Sequence, residues 1–219
     1  MILILSLLIF LPKIFCGFAL IHWFWDEMDF SAIAIKVASG FALGLAISSS
    51  LFFVAMLTGI SPKSYSIVEF CGFLFIAIIM FPRFLNQLKT KWNFGGSSFQ
   101  DYFSVVILLL GSGLLIYAFL RYSRMHPYGF EDAWSIWNYT ARFVYRTNDP
   151  AILFDSQIYD RFHPDYPLGL SLNVAGGWFI LNHESTNLPI AIAFYIIALP
   201  ALIIWGAVKK WRGTLSALL

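Results

Sequence analysis

Charged residues are scarce in this sequence. They make up 12% of the 219 residues, whereas hydrophobic residues make up 59% and the mean hydropathy is +0.75. Soluble domains carry about 25% charged residues. A soluble globular fold is therefore excluded, because too few polar side chains are present to cover the apolar surface. The net charge of +2 is also too small to favour nucleic acid as a partner.

Cysteine is equally rare. Cys16 and Cys71 both lie inside apolar runs, where a thiol behaves as a small hydrophobic group. The sequence therefore predicts neither a disulfide nor a metal centre built on them. A cleavable signal peptide is not indicated either, because Lys13 interrupts the first apolar run and no small-residue cleavage site precedes a soluble domain.

Long apolar runs are abundant instead. A helix that crosses the bilayer core needs about 20 apolar residues, and about six runs approach this length. We expect an all-α integral membrane protein with about six transmembrane helices and one large extracytoplasmic loop that contains an amphipathic interfacial helix. The predicted spans are 1–25, 33–60, 66–81, 102–120, 167–181 and 188–208.

Three regions follow from this pattern. Residues 1–120 hold about four spans, residues 121–166 form the polar loop, and residues 167–219 hold two further spans. The first span is interrupted by Leu11-Pro12-Lys13, which fits one kinked helix as well as two half-helices. The last residues resemble the start of another apolar run, so we expect the chain to be an N-terminal portion of a longer protein.

The basic residues give a contradictory orientation. Those at 83–91 favour a cytoplasmic position for that loop, which places the polar loop 121–166 outside. With six spans, the same count places the basic residues at 209–212 outside, against the positive-inside rule.

The polar loop concentrates the ionisable side chains. It holds six of the twelve acidic residues and five of the fourteen basic ones. From 134 to 146, apolar residues recur at helical spacing, which predicts an amphipathic helix in the headgroup plane. Asn138, Tyr139, Arg142 and Arg146 fall on its polar face. Arg142 and Arg146, at i and i+4, would point together and could bind a phosphate, or they could simply contact lipid headgroups.

Two acidic residues stand where this helix is predicted to begin. Glu131 and Asp132 could cap the first turn and complement its dipole. Alternatively, one of them could act as a general base at the membrane surface and take the proton of a substrate hydroxyl.

A second polar element precedes the fifth predicted span. Pro164 and Pro167 restrict the backbone and delay the start of the helix. His163 and Asp165 are thereby held at the membrane surface, either as the polar ends of a rigid turn or as part of a site.

Three segments resemble membrane glycosyltransferases of the GT-C type, in the superfamily of bacterial protein mannosyltransferases and aminoarabinose transferases. The resemblance covers roughly residues 102–212. The segments are Phe-Glu-Asp-Ala-Trp-Ser-Ile-Trp-Asn at 130–138, Ala-Arg-Phe at 141–143 and His-Pro-Asp-Tyr-Pro-Leu at 163–168.

The resemblance implies a bacterial inner-membrane enzyme that transfers a sugar from a polyprenyl-phosphate carrier to an acceptor hydroxyl outside the cytoplasm. By this resemblance Asp132 is the favoured catalytic acid, with Glu131 as the alternative. The implied contacts of the carrier phosphate and substrate are Arg142, Arg146, His163, Asp165 and Tyr166. The donor sugar and the acceptor are not specified by these motifs.

Other interpretations remain open. Asp132 and Asp165 could share a divalent cation, although no cofactor is firmly indicated. The chain could be a non-catalytic relative or a partner subunit that keeps the fold. A transporter is the third option, and the sequence offers it only Lys36 and Glu69, both near predicted span ends.

Overall fold

The structure is a computed structural model, and it describes residues 2–91, 99–131, 133–152, 155, 168–214 and 216–218. Helices dominate these residues, and none of them forms a strand. A π-helical turn, Ala133–Trp137, leads into the helix that begins at Asn138, and a 3₁₀ turn, Ser216–Leu218, follows the last long helix. In chain order, helices α1 to α8 are Ile2–Leu8, Leu11–Phe24, Phe30–Leu57, Pro62–Lys91, Phe99–Met125, Asn138–Thr147, Gly169–Leu181 and Asn187–Arg212.

Five helical segments are long and apolar enough to cross a membrane, which confirms the expected all-α architecture of a membrane protein. The shortest has 22 residues, or about 33 Å at 1.5 Å per residue, against a bilayer core of about 30 Å. Large apolar side chains on α4 and α5 are exposed, as surfaces that face lipid require. The five segments are Leu3–Phe24, Phe30–Leu57, Pro62–Gln87, Tyr102–Met125 and Asn187–Arg212.

The first span consists of two helices. α1 ends at Leu8, and α2 begins at Leu11 with Pro12 in its first turn. Proline is tolerated there because the amide groups of a first turn have no intrahelical acceptor. The two helices together form the candidate span Leu3–Phe24, so the break at Pro12 bends the span without ending it.

Helix α7 differs from the predicted fifth span. It has 13 residues, or about 20 Å, which is shorter than the bilayer core. Its Gly169 lies beside Ser49 and its Gly176 beside Phe52. These contacts and the hydrogen bond from α7 to the α3 backbone fall at positions 45–52, so α7 packs on the second half of α3 and does not extend along its whole length.

The bundle has two polar ends. At the end that we call the loop end, comprising 58–63, 126–152 and 182–188, α6 packs on α7, and the carboxamide of Asn148 accepts a hydrogen bond from the backbone of Lys63. At the opposite end, which we call the Glu27 end, Lys210 forms an ion pair with Glu27 beside the end of α8. The chain leaves α5 and enters α8 at the loop end, so the described residues provide five candidate crossings where the hydropathy pattern predicts six.

Close contact between α2 and α3 depends on glycines. Gly40 and Gly44 are one turn apart on α3, and a Cβ atom on Gly44 would lie 2.2 Å from the carbonyl oxygen of Lys13. A Cβ atom on Gly40 would lie 2.5 Å from the backbone nitrogen of Phe18. This small-xxx-small spacing lets two backbones touch in a membrane. It also places the Lys13 side chain level with Ser48, one turn beyond Gly44.

We predict that Gly44→Leu separates α2 from α3 and lowers the free energy of unfolding by about 3 kcal/mol. Thermal unfolding of the detergent-solubilised protein, followed by circular dichroism, measures the loss. Gly113→Leu is the matched control, because no atom lies within 4 Å of a Cβ atom at Gly113. Equal shifts for the two variants would contradict the packing role of Gly44.

Candidate functional site at the loop end

The predicted amphipathic helix exists as α6 and the π-helical turn before it. Its apolar residues Ala141 and Val144 are fully buried, and Tyr145 packs its ring on Trp178 and Phe179 of α7. The apolar face of this helix therefore packs on protein, whereas the sequence pattern predicted that it would lie in the plane of the lipid headgroups. Ser171 of α7 donates a hydrogen bond of 2.9 Å to the carbonyl of the π-helical turn, which fixes the two helices in register.

Arg142 and Arg146 lie side by side, as their i and i+4 spacing predicts, and both bind Glu184. Arg142 donates from Nε to Glu184 Oε1 at 2.7 Å. Arg146 donates from Nε to Oε2 at 2.9 Å and from a terminal nitrogen to Oε1 at 3.1 Å. Glu184 was not among the site residues predicted from the sequence. A lone carboxylate in the short turn between two apolar helices is the signal that could have identified it.

Arg142, Arg146 and Glu184 form a trio whose charges do not cancel. Burial acts to raise the pKa of Glu184, but hydrogen bonds and charge from Arg146 and Arg142 outweigh it, so the pKa of this carboxyl lies below its ordinary value. The same hydrogen bonding raises the pKa of Arg146. The ion pairs therefore stabilise the fold at neutral pH, and this stabilisation is lost in acid as the pH falls through the lowered pKa of Glu184. Two cations on one anion give the trio itself one net positive charge.

A small polar cavity of about 100 Å³ lies beside the trio. Arg142 and Glu184 line one side, Asn138 and Ser185 contribute amide and hydroxyl groups, and the Tyr128 ring lies 6.0 Å from the Arg142 guanidinium. Asn138 was predicted on the polar face of α6, and its side chain is buried, with 6% exposure. The sequence Asn-Tyr-Thr at 138–140 fits a glycosylation sequon, and burial of Asn138 argues against its modification in the folded protein.

Of the predicted acidic and histidine site residues, the structure describes only Glu131. Glu131 has an exposed side chain, and its carbonyl accepts a hydrogen bond from Ser135, one turn further on. Its position directly before the π-helical turn agrees with the predicted helix start. The remaining predicted site residues, Asp132, His163, Asp165 and Tyr166, lie outside the described residues.

A second ionic cluster lies within the membrane-spanning bundle. The Lys13 ammonium contacts Glu69 Oε2 at 3.1 Å, donates to Ser48 Oγ at 2.6 Å and donates to Asn173 Oδ1 at 3.1 Å. Tyr65 donates to the other carboxylate oxygen of Glu69 at 2.9 Å. The side chains of Lys13 and Glu69 are 6% and 5% exposed, so their charges compensate each other away from water.

This cluster corrects an expectation from hydropathy. Glu69 was predicted near the start of the third span, but α4 begins at Pro62, so Glu69 lies two turns inside the helix. Lys13 had been considered only as an interruption of the first span. Lys36 does lie near the Glu27 end, where its ammonium donates to the carbonyl of Glu27 and contacts His22.

Among the described residues, no group of three or more His, Cys, Asp or Glu side chains could hold a metal ion. The possible cation between Asp132 and Asp165 involves residues outside that set. Comparisons of the chain with family models, with curated proteins and with solved structures found no match.

We predict that Lys13→Met lowers the free energy of unfolding by about 3–5 kcal/mol, because it leaves the Glu69 carboxylate buried without a cation. Adding Glu69→Gln removes the uncompensated charge but keeps an acceptor for Tyr65. The double variant should therefore recover at least half of the loss. Chemical unfolding in mixed micelles measures each value.

Lys63→Met is the control, because Lys63 is exposed at the start of α4 and its loss should cost less than about 0.5 kcal/mol. Additive costs in the Lys13/Glu69 double variant would show that the two charges do not stabilise each other.

Proposed function

We propose that this protein is a membrane glycosyltransferase that moves a sugar from a polyprenyl-phosphate carrier to an acceptor hydroxyl. The observation that carries the proposal is the pairing of Arg142 and Arg146 on Glu184, a trio with one net positive charge that lies where the membrane bundle meets the polar loop. The helix that holds both arginines follows directly after the Glu131-Asp132-Ala-Trp segment, on which the family resemblance rests.

The proposed reaction is a displacement at the anomeric carbon of the donor sugar. Asp132, or its neighbour Glu131, accepts the proton of the acceptor hydroxyl. The acceptor oxygen forms a bond to the anomeric carbon as the bond from that carbon to the phosphate oxygen breaks. The lipid phosphate leaves with the bonding electrons, and a nearby cation stabilises its charge.

Arg146 is the arginine better placed for the leaving phosphate. Its side chain is 66% exposed, whereas that of Arg142 is 19% exposed and lines the cavity. We assign His163, Asp165 and Tyr166 to the same carrier on the basis of the His-Pro-Asp-Tyr-Pro-Leu resemblance alone.

The orientation proposed for the enzyme places the loop end outside the cytoplasm. With five crossings, the ends of α4 and α8 both lie at the Glu27 end, so the basic residues at 83–91 and 209–212 share one face. This arrangement removes the contradiction that a sixth crossing produces. The assignment of the loop end to the outer face rests on the family resemblance.

A transporter is the second candidate, and the buried Lys13–Glu69 pair is the observation that favours it. Ionisable side chains inside membrane spans commonly mark substrate or proton pathways. Here the ammonium already has three partners on three different helices, which is what a structural ion pair requires. The pair therefore supports transport less strongly than the loop end supports sugar transfer.

We predict that Asp132→Asn lowers the rate of sugar transfer by about 10²–10⁴-fold, because the amide cannot accept the acceptor proton. Transfer from a radiolabelled polyprenyl-phosphate sugar in membranes that contain the full chain measures the rate. Glu131→Gln should have a smaller effect, and the membrane content of both variants should equal that of the unsubstituted protein.

Unchanged transfer by Asp132→Asn together with loss of transfer by Glu131→Gln would move the base to Glu131. Unchanged transfer by both variants would remove the proposed base. A chain that transfers no sugar but loses solute uptake on Lys13→Met would instead support the transporter.

A further inference from the structure

Asn138 is a buried polar side chain that has no hydrogen-bond partner among the described residues. It is 6% exposed and lines the cavity beside Arg142. Within the part of the chain that the structure describes, its carboxamide neither donates nor accepts a hydrogen bond. Buried amides are hydrogen-bonded in folded proteins as a rule, and an unsatisfied one costs about 1–3 kcal/mol. The carboxamide atoms of Asn138 are not among the fully enclosed polar atoms that lack a partner, so they remain accessible from the cavity, where a polar ligand can bind them.

Arg142 offers further unused donors to the same cavity. Its hydrogen bond to Glu184 uses Nε, and its two terminal nitrogens donate to none of the described residues. A guanidinium has five N–H donors, so most of its capacity is open. Donors from Arg142 and both donor and acceptor atoms from Asn138 thus face one small space.

A neutral hydroxyl group suits these atoms better than a phosphate does. A carboxamide needs an acceptor for its NH₂ group and a donor for its oxygen, and a hydroxyl supplies both. An ionised phosphodiester only accepts, so it would leave Asn138 Oδ1 unsatisfied. The Glu184 carboxylate lines the same cavity and would repel a second anion at close range.

The remaining walls suit the carbon face of a sugar. Tyr128 is 55% exposed at the cavity, and Trp178 forms part of the inner wall. Aromatic rings offer large apolar faces with a polar edge. A water molecule occupies about 30 Å³ in the liquid, so a cavity of about 100 Å³ admits one edge of a sugar ring with its hydroxyls.

We propose that this cavity is a monosaccharide subsite in which Asn138, Arg142 and Glu184 bind ring hydroxyls and Tyr128 covers the carbon face. The assignment of the bound ring to a lipid-linked sugar rests on the proposed function. Arg146, outside the cavity, then contacts the phosphate attached to that ring with the donors that Glu184 does not use.

Binding of methyl glycosides to the full chain in lipid nanodiscs tests the subsite. Saturation-transfer NMR with methyl glycosides of glucose, mannose, galactose, arabinose and N-acetylglucosamine detects weak binding. We expect at least one glycoside to bind, inorganic phosphate not to displace it, and Asn138→Leu to weaken it about tenfold. Asn86→Leu, on the exposed surface of α4, is the matched control and should bind as the unsubstituted protein does.

Tyr128→Ala provides a second variant in case Asn138→Leu does not fold, because Tyr128 is exposed and its loss leaves the core intact. It should weaken the same glycoside about threefold to tenfold. Absence of binding by the whole panel, displacement by phosphate, or unchanged binding in a folded Asn138→Leu or Tyr128→Ala variant would each overturn the subsite.

The two proposals fail in different ways. Glycoside binding that depends on Asn138, in a protein that transfers no sugar, would reject the transferase and keep the subsite. Sugar transfer that Asn138→Leu leaves unchanged would reject the subsite and keep the transferase.

Discussion

The ammonium of Lys13 is the constraint on which this bundle depends. A charge among apolar helices costs several kcal/mol unless it is paired and hydrogen-bonded, and here the partners come from three other helices. Ser48 belongs to α3, Glu69 to α4 and Asn173 to α7. Lys13 reaches them because Gly44 lets the backbones of α2 and α3 touch. One buried charge thus holds four helices in register.

The loop end is attached to this cluster through α7. Asn173 contacts Lys13 and also donates to the carbonyls of Leu45 and Gly169. Two residues before Asn173, Ser171 donates a hydrogen bond to the π-helical turn that begins the α6 segment. The rigid bundle therefore positions Arg142 and Arg146 even though they belong to the longest polar segment of the chain. Positioning of this kind is what a site for a membrane-bound substrate requires.

Much of the fold can be predicted from local sequence. The five long spans follow from hydropathy, and α6 follows from the apolar repeat after Trp134. The role of α7 does not follow, because a short apolar helix that packs on only part of the bundle has the same composition as a short span. Distinguishing the two requires its contacts with α3, which single-residue patterns do not contain.

Contacts between distant parts of the sequence were beyond prediction for the same reason. Lys13 and Asn173 are 160 positions apart, and Glu184 lies 42 and 38 positions from its two arginines. Asn138 was assigned to the polar face by its helical position, but the neighbouring turn 182–186 covers that face. Helical periodicity describes one helix and carries no information about what packs on it.

The side of the membrane on which residue 183 lies tests the five-crossing arrangement most directly. Single cysteines that replace His183, Thr147 and Arg212, in a background in which Cys16 and Cys71 are serine, can be labelled with a membrane-impermeant maleimide in right-side-out and inverted vesicles. All three positions are exposed. Five crossings predict that residues 183 and 147 label from the same side and residue 212 from the other. Labelling of residue 183 from the side opposite to residue 147 would mean that α7 crosses the bilayer and would contradict the account.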